Sequence, residues 1–483
     1  MGFGILYYIF RYLSKVILWM FYKPIIVIQH DKIDFKKPII VFCTHTNMES
    51  MIDIAVLASI FPKPVHFWAK NSIFKVNPIA SKILYNMGVI PVDRETKNNS
   101  MLFKITFNAL ENVETLAIYP EGTSHTSPHL LNLKDGVSWV ALQYKYNMFN
   151  YNTSLSQIPD KLNDLILLPV GITYLEKFKY RSNIIVTYGM PIDIGLYKDE
   201  FLEDPKDSVK KLTDLMKEKL WKITINATDW DVLRISELSR CILFGDNKNM
   251  SAENYILITQ SFINMFELHR SNEKRKDILE LYNILGNESK ALKLACIEVN
   301  DIINLHTVSR RYFLLQIVLK TISLITHFPF VLPIIIIHIP TYIMCSFVEK
   351  KQIFDESKAQ DKLLTAFFVS IIVNICVFFF IKKIIISCPL NGIISISIII
   401  IMTNYYNKVI DGFYDEWKHY KKAWYLGWFI LRPHGRNYIL QRLYKLQNAK
   451  KKLLNIIQSG QGKDINVIKE AFETISIKHF HAK

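Results

Sequence analysis

The chain has 483 residues, is 50% apolar, and carries 59 basic against 43 acidic side chains for a net charge of +16. That length is enough for two or three folding units, and the basic balance suits anionic lipid surfaces, phosphorylated substrates or nucleic acid alike. Six scattered cysteines (Cys43, Cys241, Cys296, Cys345, Cys376 and Cys388) make no C-x-x-C pair and have no histidine at zinc-ligand spacing, which argues against a disulfide framework and against a metal site.

Residues 1–24, "MGFGILYYIFRYLSKVILWMFYKP", are apolar but interrupted by Arg11, Lys15 and Lys23. They lack a small-residue cleavage site, so a removable signal peptide is not expected. Positive charges at helical spacing beside Trp and Tyr predict a helix lying in the headgroup layer, with a steeply tilted span as the alternative.

Residues 25–230 alternate short apolar runs with helical patterns. Strands are predicted at Ile25 to Ile28, Pro38 to Cys43, Val65 to Ala69, Val89 to Val92, Thr115 to Tyr119, Leu165 to Thr173 and Ile184 to Tyr188. Helices are predicted at Met51 to Ile60, Asn77 to Asn86, Met101 to Val113, Gly136 to Tyr146 and Ser208 to Trp221. The alternation implies an α/β domain, a mixed sheet flanked by helices.

Residues 231–315 read as amphipathic helices with heptad-like spacing and no evident chemistry. Residues 316–410 hold apolar blocks, Ser323 to Val348 and Leu363 to Met402, the second divided by Lys382-Lys383 and "SCPLNG". Two to three membrane helices are expected there, the first open to a re-entrant reading because of its prolines, the second as a hairpin. Residues 411–483 are expected to be a basic helical tail, either solvated or attached to the cytosolic leaflet. The basic residues sit beside apolar segments and form no nucleic-acid-binding module, so no nucleic-acid partner is expected.

Four stretches carry the candidate chemistry. In "THTNMESMID", His45 stands at the end of a buried strand with Glu49 and Asp53 further on. In "GVIPVDR", a strand exit runs from Gly88 to Arg94, whose guanidinium has the planar fork that grips phosphate at two points. In "YPEGTSHTSPHLLNLKDGV", a Pro-Glu-Gly turn presents Glu121 and the amides that follow, with Gly122 free to take angles other residues resist. In "LLPVGITY", Pro169 interrupts a strand, which predicts an edge or bulge where an acyl chain approaches.

This ordered set resembles the glycerolipid acyltransferase family over about Pro38 to Pro191. Ser124-His125, Leu131-Asn132-Leu133-Lys134, Gly136 and "YGMPIDI" make it most similar to the eukaryotic endoplasmic-reticulum enzymes acting on glycerol 3-phosphate or dihydroxyacetone phosphate. The resemblance implies acyl transfer from acyl-CoA, a substrate, with no further cofactor and no metal. His45 would be the general base, with a carboxylate fixing its tautomer. The family's aspartate falls at Ser50 in this chain, which leaves Asp53 as the preferred partner and Glu49 as the alternative. Arg94 would hold the acceptor phosphate, Gly88, Glu121, Gly122 and Ser124 would complete that pocket, and Pro169 would line the acyl side. His125 is a rival base. Acceptors open at this point are glycerol 3-phosphate, dihydroxyacetone phosphate and lysophosphatidic acid, with an inactive scaffold as the non-enzymatic reading. The family further implies the endoplasmic-reticulum membrane, with the catalytic domain facing the cytosol.

Overall fold

A computed structural model of the protein describes residues 2–29, 33–44, 50–93, 100–123, 125, 127–152, 165–175, 182–245, 250–271, 276–294, 309–351, 355–384, 391–432, 434–460 and 463–481. The chain forms two compact units, Met1–Ile225 with Phe354–Gln360 and Asn226–Ile353 with Asp361–Lys483.

The first unit is built on seven strands, at the places where the apolar runs predict them. They are β1 (Ile26–Gln29), β2 (Ile39–Cys43), β3 (Val65–Lys70), β4 (Ile90–Val92), β5 (Thr115–Ile118), β6 (Ile166–Tyr174) and β7 (Ile184–Tyr188), in the sheet order β1-β7-β6-β2-β5-β3-β4. All neighbours pair in parallel except β6 with β7, so the sheet is mixed. Every residue of β2, β5 and β7 is buried. That is why these strands read as continuous apolar runs rather than alternating ones, as expected of a sheet covered on both faces.

Helices α1 (Ile5–Phe21), α2 (Ser50–Ile60), α3 (Asn71–Phe74), α4 (Pro78–Asn86), α5 (Ser100–Glu111), α6 (Gly136–Asn152), α7 (Lys198–Glu203) and α8 (Pro205–Ile223) flank this sheet. One core joins Ile40, Phe42, Leu116 and Leu167 of the sheet to Val140 and Tyr144 of α6 and to Leu212, Met216 and Leu220 of α8. Asn77 caps α4 by accepting from the Ala80 amide at 2.6 Å, with Pro78 at the first helical position. Asp204 caps α8 in the same way, accepting from the Lys206 and Asp207 amides at 3.0 and 3.2 Å. The N-terminal helix is integral to this unit. Tyr7 and Leu18 of α1 are buried, the Val65 amide donates to the Tyr7 hydroxyl at 2.8 Å, and the Arg11 guanidinium donates to the Phe61 carbonyl at 2.6 Å.

The second unit is helical: α9 (Trp230–Phe244), α10 (Ala252–Ser271), α11 (Lys276–Leu294), α12 (Arg310–Lys351), α13 (Asp355–Ile384, in this unit from Asp361), α14 (Asn391–Leu431), α15 (Gly435–Ser459) and α16 (Lys463–His481). Among the described residues, Arg310–Pro333 and Asp361–Ile384 are long and apolar enough to cross a membrane, and Gly392–Tyr405 is a shorter apolar stretch. α12 continues as one helix through Pro329, Pro333 and Pro340, so the prolines of the first apolar block do not break it. The stretch expected as a basic tail is not merely solvated. α15 packs on α11 and α9, and α16 on α10, burying Ile439, Leu446, Leu453 and Ile468. The Arg442 guanidinium reaches the buried Glu288 carboxylate at 2.6 Å.

Candidate active site

Strands β2, β5, β3 and β4 run parallel, so the chain leaves all four at one end of the sheet. Parallel α/β sheets place their ligands at that end. Phe42 of β2 pairs with Ile118 of β5, which aligns the exits leading to Thr44 and to Tyr119, Pro120 and Glu121. β4, which ends at Val92, leads in sequence to Arg94 two residues later. Of the predicted site residues, Asp53, Gly88, Glu121, Gly122 and Pro169 are described, whereas His45, Glu49, Arg94 and Ser124 lie outside the described residues.

Asp53 stands in the first turn of α2, where a helix N-terminus favours negative charge. It is 1% exposed, and the Tyr174 hydroxyl donates to its Oδ1 at 2.8 Å. Tyr174 is the last residue of β6, which outruns β2: Cys43 pairs with Val170, the Thr44 amide donates to the Val170 carbonyl at 3.2 Å, and the Ile172 amide donates to Thr44 Oγ1 at 3.3 Å. The overrun carries Tyr174 to the start of α2. Burial, with Asp53 as a nearby like charge, raises the Cys43 thiol well above its ordinary range. Burial also raises the Tyr119 phenol strongly, with Cys43 and Asp53 adding to the shift.

Glu121 is 2% exposed. Its Oε2 accepts from the Leu131 amide at 3.0 Å and meets His125 Nε2 at 2.5 Å. The Ser127 amide donates to His125 Nδ1 at 3.1 Å, which makes Nδ1 an acceptor and assigns the ring hydrogen to Nε2. Both ring nitrogens of His125 are thereby engaged within the turn. In this geometry it braces the Glu121 carboxylate.

Gly122 has φ +70°, and a Cβ there would lie 2.7 Å from Lys134 Nζ. The Lys134 amide donates to the Pro120 carbonyl at 2.8 Å. The Leu-x-x-Lys-x-Gly segment thus folds back over the Pro-Glu-Gly turn and lays an exposed ammonium across it. Neither Lys134 nor Tyr174 stands out by its residue type. Lys134 lies within the Leu-x-x-Lys-x-Gly stretch and Tyr174 closes the proline-bearing strand, so position relative to the sheet end is the available signal.

Gly88, also at positive φ (+74°), is buried, and its carbonyl meets His66 Nδ1 at 2.7 Å. His66 Nε2 meets Glu114 Oε2 at 2.8 Å. A Cβ on Gly88 would fall 2.8 Å from the His66 ring, so a backbone requirement accounts for this glycine.

The edge-or-bulge expectation for Pro169 is corrected. β6 is an interior strand between β2 and β7. The Pro169 carbonyl accepts from the Gly189 amide at 2.9 Å, so both main-chain groups of Pro169 face the β7 side, where β7 has already ended at Tyr188. The missing N–H therefore costs no bond in the ladder to β2. The ring is buried, and a Cβ on Gly189 would lie 2.8 Å from it.

Residues 24–172 match the family described as Acyltransferase. The chain is 30% identical over 147 residues to glycerol-3-phosphate O-acyltransferase 2 of Saccharomyces cerevisiae, a match covering 30% of this chain and 18% of the relative. It is 25% identical over 185 residues to glycerol-3-phosphate O-acyltransferase 1 of the same yeast, covering 38% and 23%. An acyltransferase of Schizosaccharomyces pombe is 31% identical over 127 residues, covering 26% and 17%. The chain thus spans about a fifth of the length of these curated relatives.

Proposed function

We propose that this protein, which carries a domain of the glycerolipid acyltransferase family over residues 24–172, transfers an acyl group from acyl-CoA to a hydroxyl of glycerol 3-phosphate. The observation that carries the reading is the Glu121 carboxylate, buried at the catalytic end of the sheet and braced by His125 and the Leu131 amide. A carboxylate held this way beside a basic neighbour, Lys134, suits a small acceptor with hydroxyls at one end and a phosphate at the other.

In this mechanism His45 takes the proton from the acceptor hydroxyl as its oxygen attacks the thioester carbonyl. The C–O bond forms, the C–S bond breaks, and the proton passes from His45 to the departing CoA sulfur. Asp53 orients the imidazole; its burial, its place at the start of α2 and its bond from Tyr174 support it over Glu49 in that role. Arg94 holds the acceptor phosphate. Donors to the tetrahedral oxyanion are backbone amides at the ends of β2 and β5. The protein works at a bilayer, which we place at the endoplasmic reticulum with the catalytic unit on the cytosolic side; the two membrane-length helices support the bilayer.

The test is acceptor profiling on the full-length protein in native membranes, with labelled acyl-CoA offered glycerol 3-phosphate, dihydroxyacetone phosphate or lysophosphatidic acid. Glycerol 3-phosphate is expected to give the highest kcat/KM. Preference for another acceptor would reassign the substrate, and thioester turnover indifferent to acceptor would remove the activity.

A further inference from the structure

The excursion between β3 and β4 spends apolar residues that the fold does not use. None of the nine residues of α4 is buried. Ile79 is 74% exposed and, on the approach from α3, Val76 is 72% exposed; Ile73 and Ile83 are exposed beside them. A helix normally hides such a stripe. The second apolar surface in this unit is on α1, where Ile5, Tyr8, Ile9, Tyr12 and Trp19 point outward at helical spacing while Tyr7 and Leu18 face the domain.

The two surfaces are stapled together. The Gly4 amide donates to the Asn86 carbonyl at 2.8 Å, and the Leu6 amide donates to Asn86 Oδ1 at 3.2 Å, which binds the start of α1 to the end of α4. Phe3 stacks on His66 with ring centroids 4.1 Å apart, and the buried Phe74 of α3 packs on Tyr85 of α4. The exposed stripes therefore belong to one rigid part of the first unit.

Charge identifies what covers them. Residues 1–30 contain no Asp or Glu, and neither do residues 54–92, while Lys15, Lys70, Lys75 and Lys82 are exposed within them. A second copy of this chain would bring these lysines against each other. An anionic lipid surface complements them, and aromatic rings at the apolar boundary suit the headgroup level. Two described helices of the same chain are long and apolar enough to span a bilayer.

We propose that α1 and the α3–α4 excursion together form a bilayer-docking face of the catalytic unit, with Ile73, Val76, Ile79 and Ile83 inserting among lipid chains and the lysines meeting anionic headgroups. α3 follows the C-terminal end of β3, the same sheet end at which β2, β4 and β5 finish. Resting on the function proposed above, the docked face holds the reacting end beside the bilayer, so that the acyl chain of donor and product need not leave lipid.

The test reconstitutes the full-length protein in nanodiscs of phosphatidylcholine, with and without phosphatidylserine, doped with a lipid bearing a diazirine on its acyl chain. After irradiation, adducts are mapped by mass spectrometry. Lipid adducts are expected on residues 71–86 and on α1 as well as on the membrane-length helices, with more on 71–86 when phosphatidylserine is present. In the Ile79→Glu/Ile83→Glu variant, adducts on 71–86 should fall about tenfold while those on 361–384 stay constant, and an unchanged melting temperature would show that the fold survives. Adducts confined to the membrane-length helices, or protein-to-protein cross-links through 71–86, would overturn the docking face. Loss of acyl transfer in a protein whose 71–86 adducts persist would instead count against the proposed activity alone.

Discussion

Tyr174 and Asp53 are 121 residues apart in sequence, yet the phenolic hydroxyl of one donates to the carboxylate of the other at 2.8 Å in a buried setting. Removing that donor takes one hydrogen bond from a buried carboxylate, which costs on the order of 1–3 kcal/mol. Tyr174→Phe should therefore lower the melting temperature. With Asp53 orienting the base in the proposed mechanism, the same change should lower kcat with little effect on the acceptor KM. A Tyr174→Phe enzyme that loses stability and keeps its kcat would detach Asp53 from catalysis.

The two candidate partners of His45 separate by isosteric substitution. Asp53→Asn should lower kcat by about 10²–10⁴-fold, the range of a mis-oriented general base, whereas Glu49→Gln should leave most turnover intact. Steady-state kinetics on both variants in membranes reads the difference, and the reverse ranking would transfer the role to Glu49.

His125 and His45 should fail in different ways. With both ring nitrogens of His125 committed to Ser127 and Glu121, His125→Ala frees the Glu121 carboxylate to move and should raise the acceptor KM by about tenfold, with chemistry still measurable. His45→Ala should remove kcat itself. Abolished kcat at normal KM in His125→Ala would make His125 a participant in proton transfer.

Much of this arrangement could be read from the residues. Strands β2, β5 and β7 are continuous apolar runs because the sheet is covered on both faces there, and such runs stand out against the polar connections between them. Glu121, Gly122 and His125 were legible as a turn after a strand. Tyr174 was not, since its contact exists only because β6 overruns β2. α3 and α7, with four and six residues, are too short to show periodicity. The lysine-rich composition of 435–459 hid a seven-residue repeat of Ile439, Leu446 and Leu453, the side of α15 that packs inward. Pro169 misled for a local reason: its lost donor falls on the β7 side, past the end of that strand, and leaves the β2 pairing whole.

Gly88 and Gly122 share a left-handed backbone but differ in what a methyl would strike, so the same substitution should have unequal effects. At Gly122 the obstacle is the far end of a flexible lysine; at Gly88 it is an imidazole held at both nitrogens. Gly122→Ala should cost about 1–2 kcal/mol, mostly backbone, and Lys134→Ala combined with it should recover only a small part. Gly88→Ala should cost more and should loosen α1, because Phe3 rests on the displaced ring. Denaturant melts of the three variants, with proteolysis near residue 24 as a readout of α1, check the order; equal losses at the two glycines would contradict it.

Alkaline pH should weaken the sheet end before it affects the rest of the first unit. Burial raises the Cys43 thiol and the Tyr119 phenol well above their ordinary ranges, and burial, with Cys43 nearby, also raises the Tyr188 phenol. In each case the folded state holds its proton more tightly than the unfolded chain does, so the contribution is complete below the unfolded pKa and is lost as pH rises towards the folded one. For the thiol that decline begins near pH 8.5, and the phenols extend it upward. Stability should thus be flat from neutral pH to about 8.5 and fall beyond it. Cys43→Ala should flatten the first part of the fall, and native protein should resist iodoacetamide at Cys43 until it unfolds. Rapid alkylation of Cys43 in the folded protein at neutral pH would show a thiol that is neither buried nor suppressed.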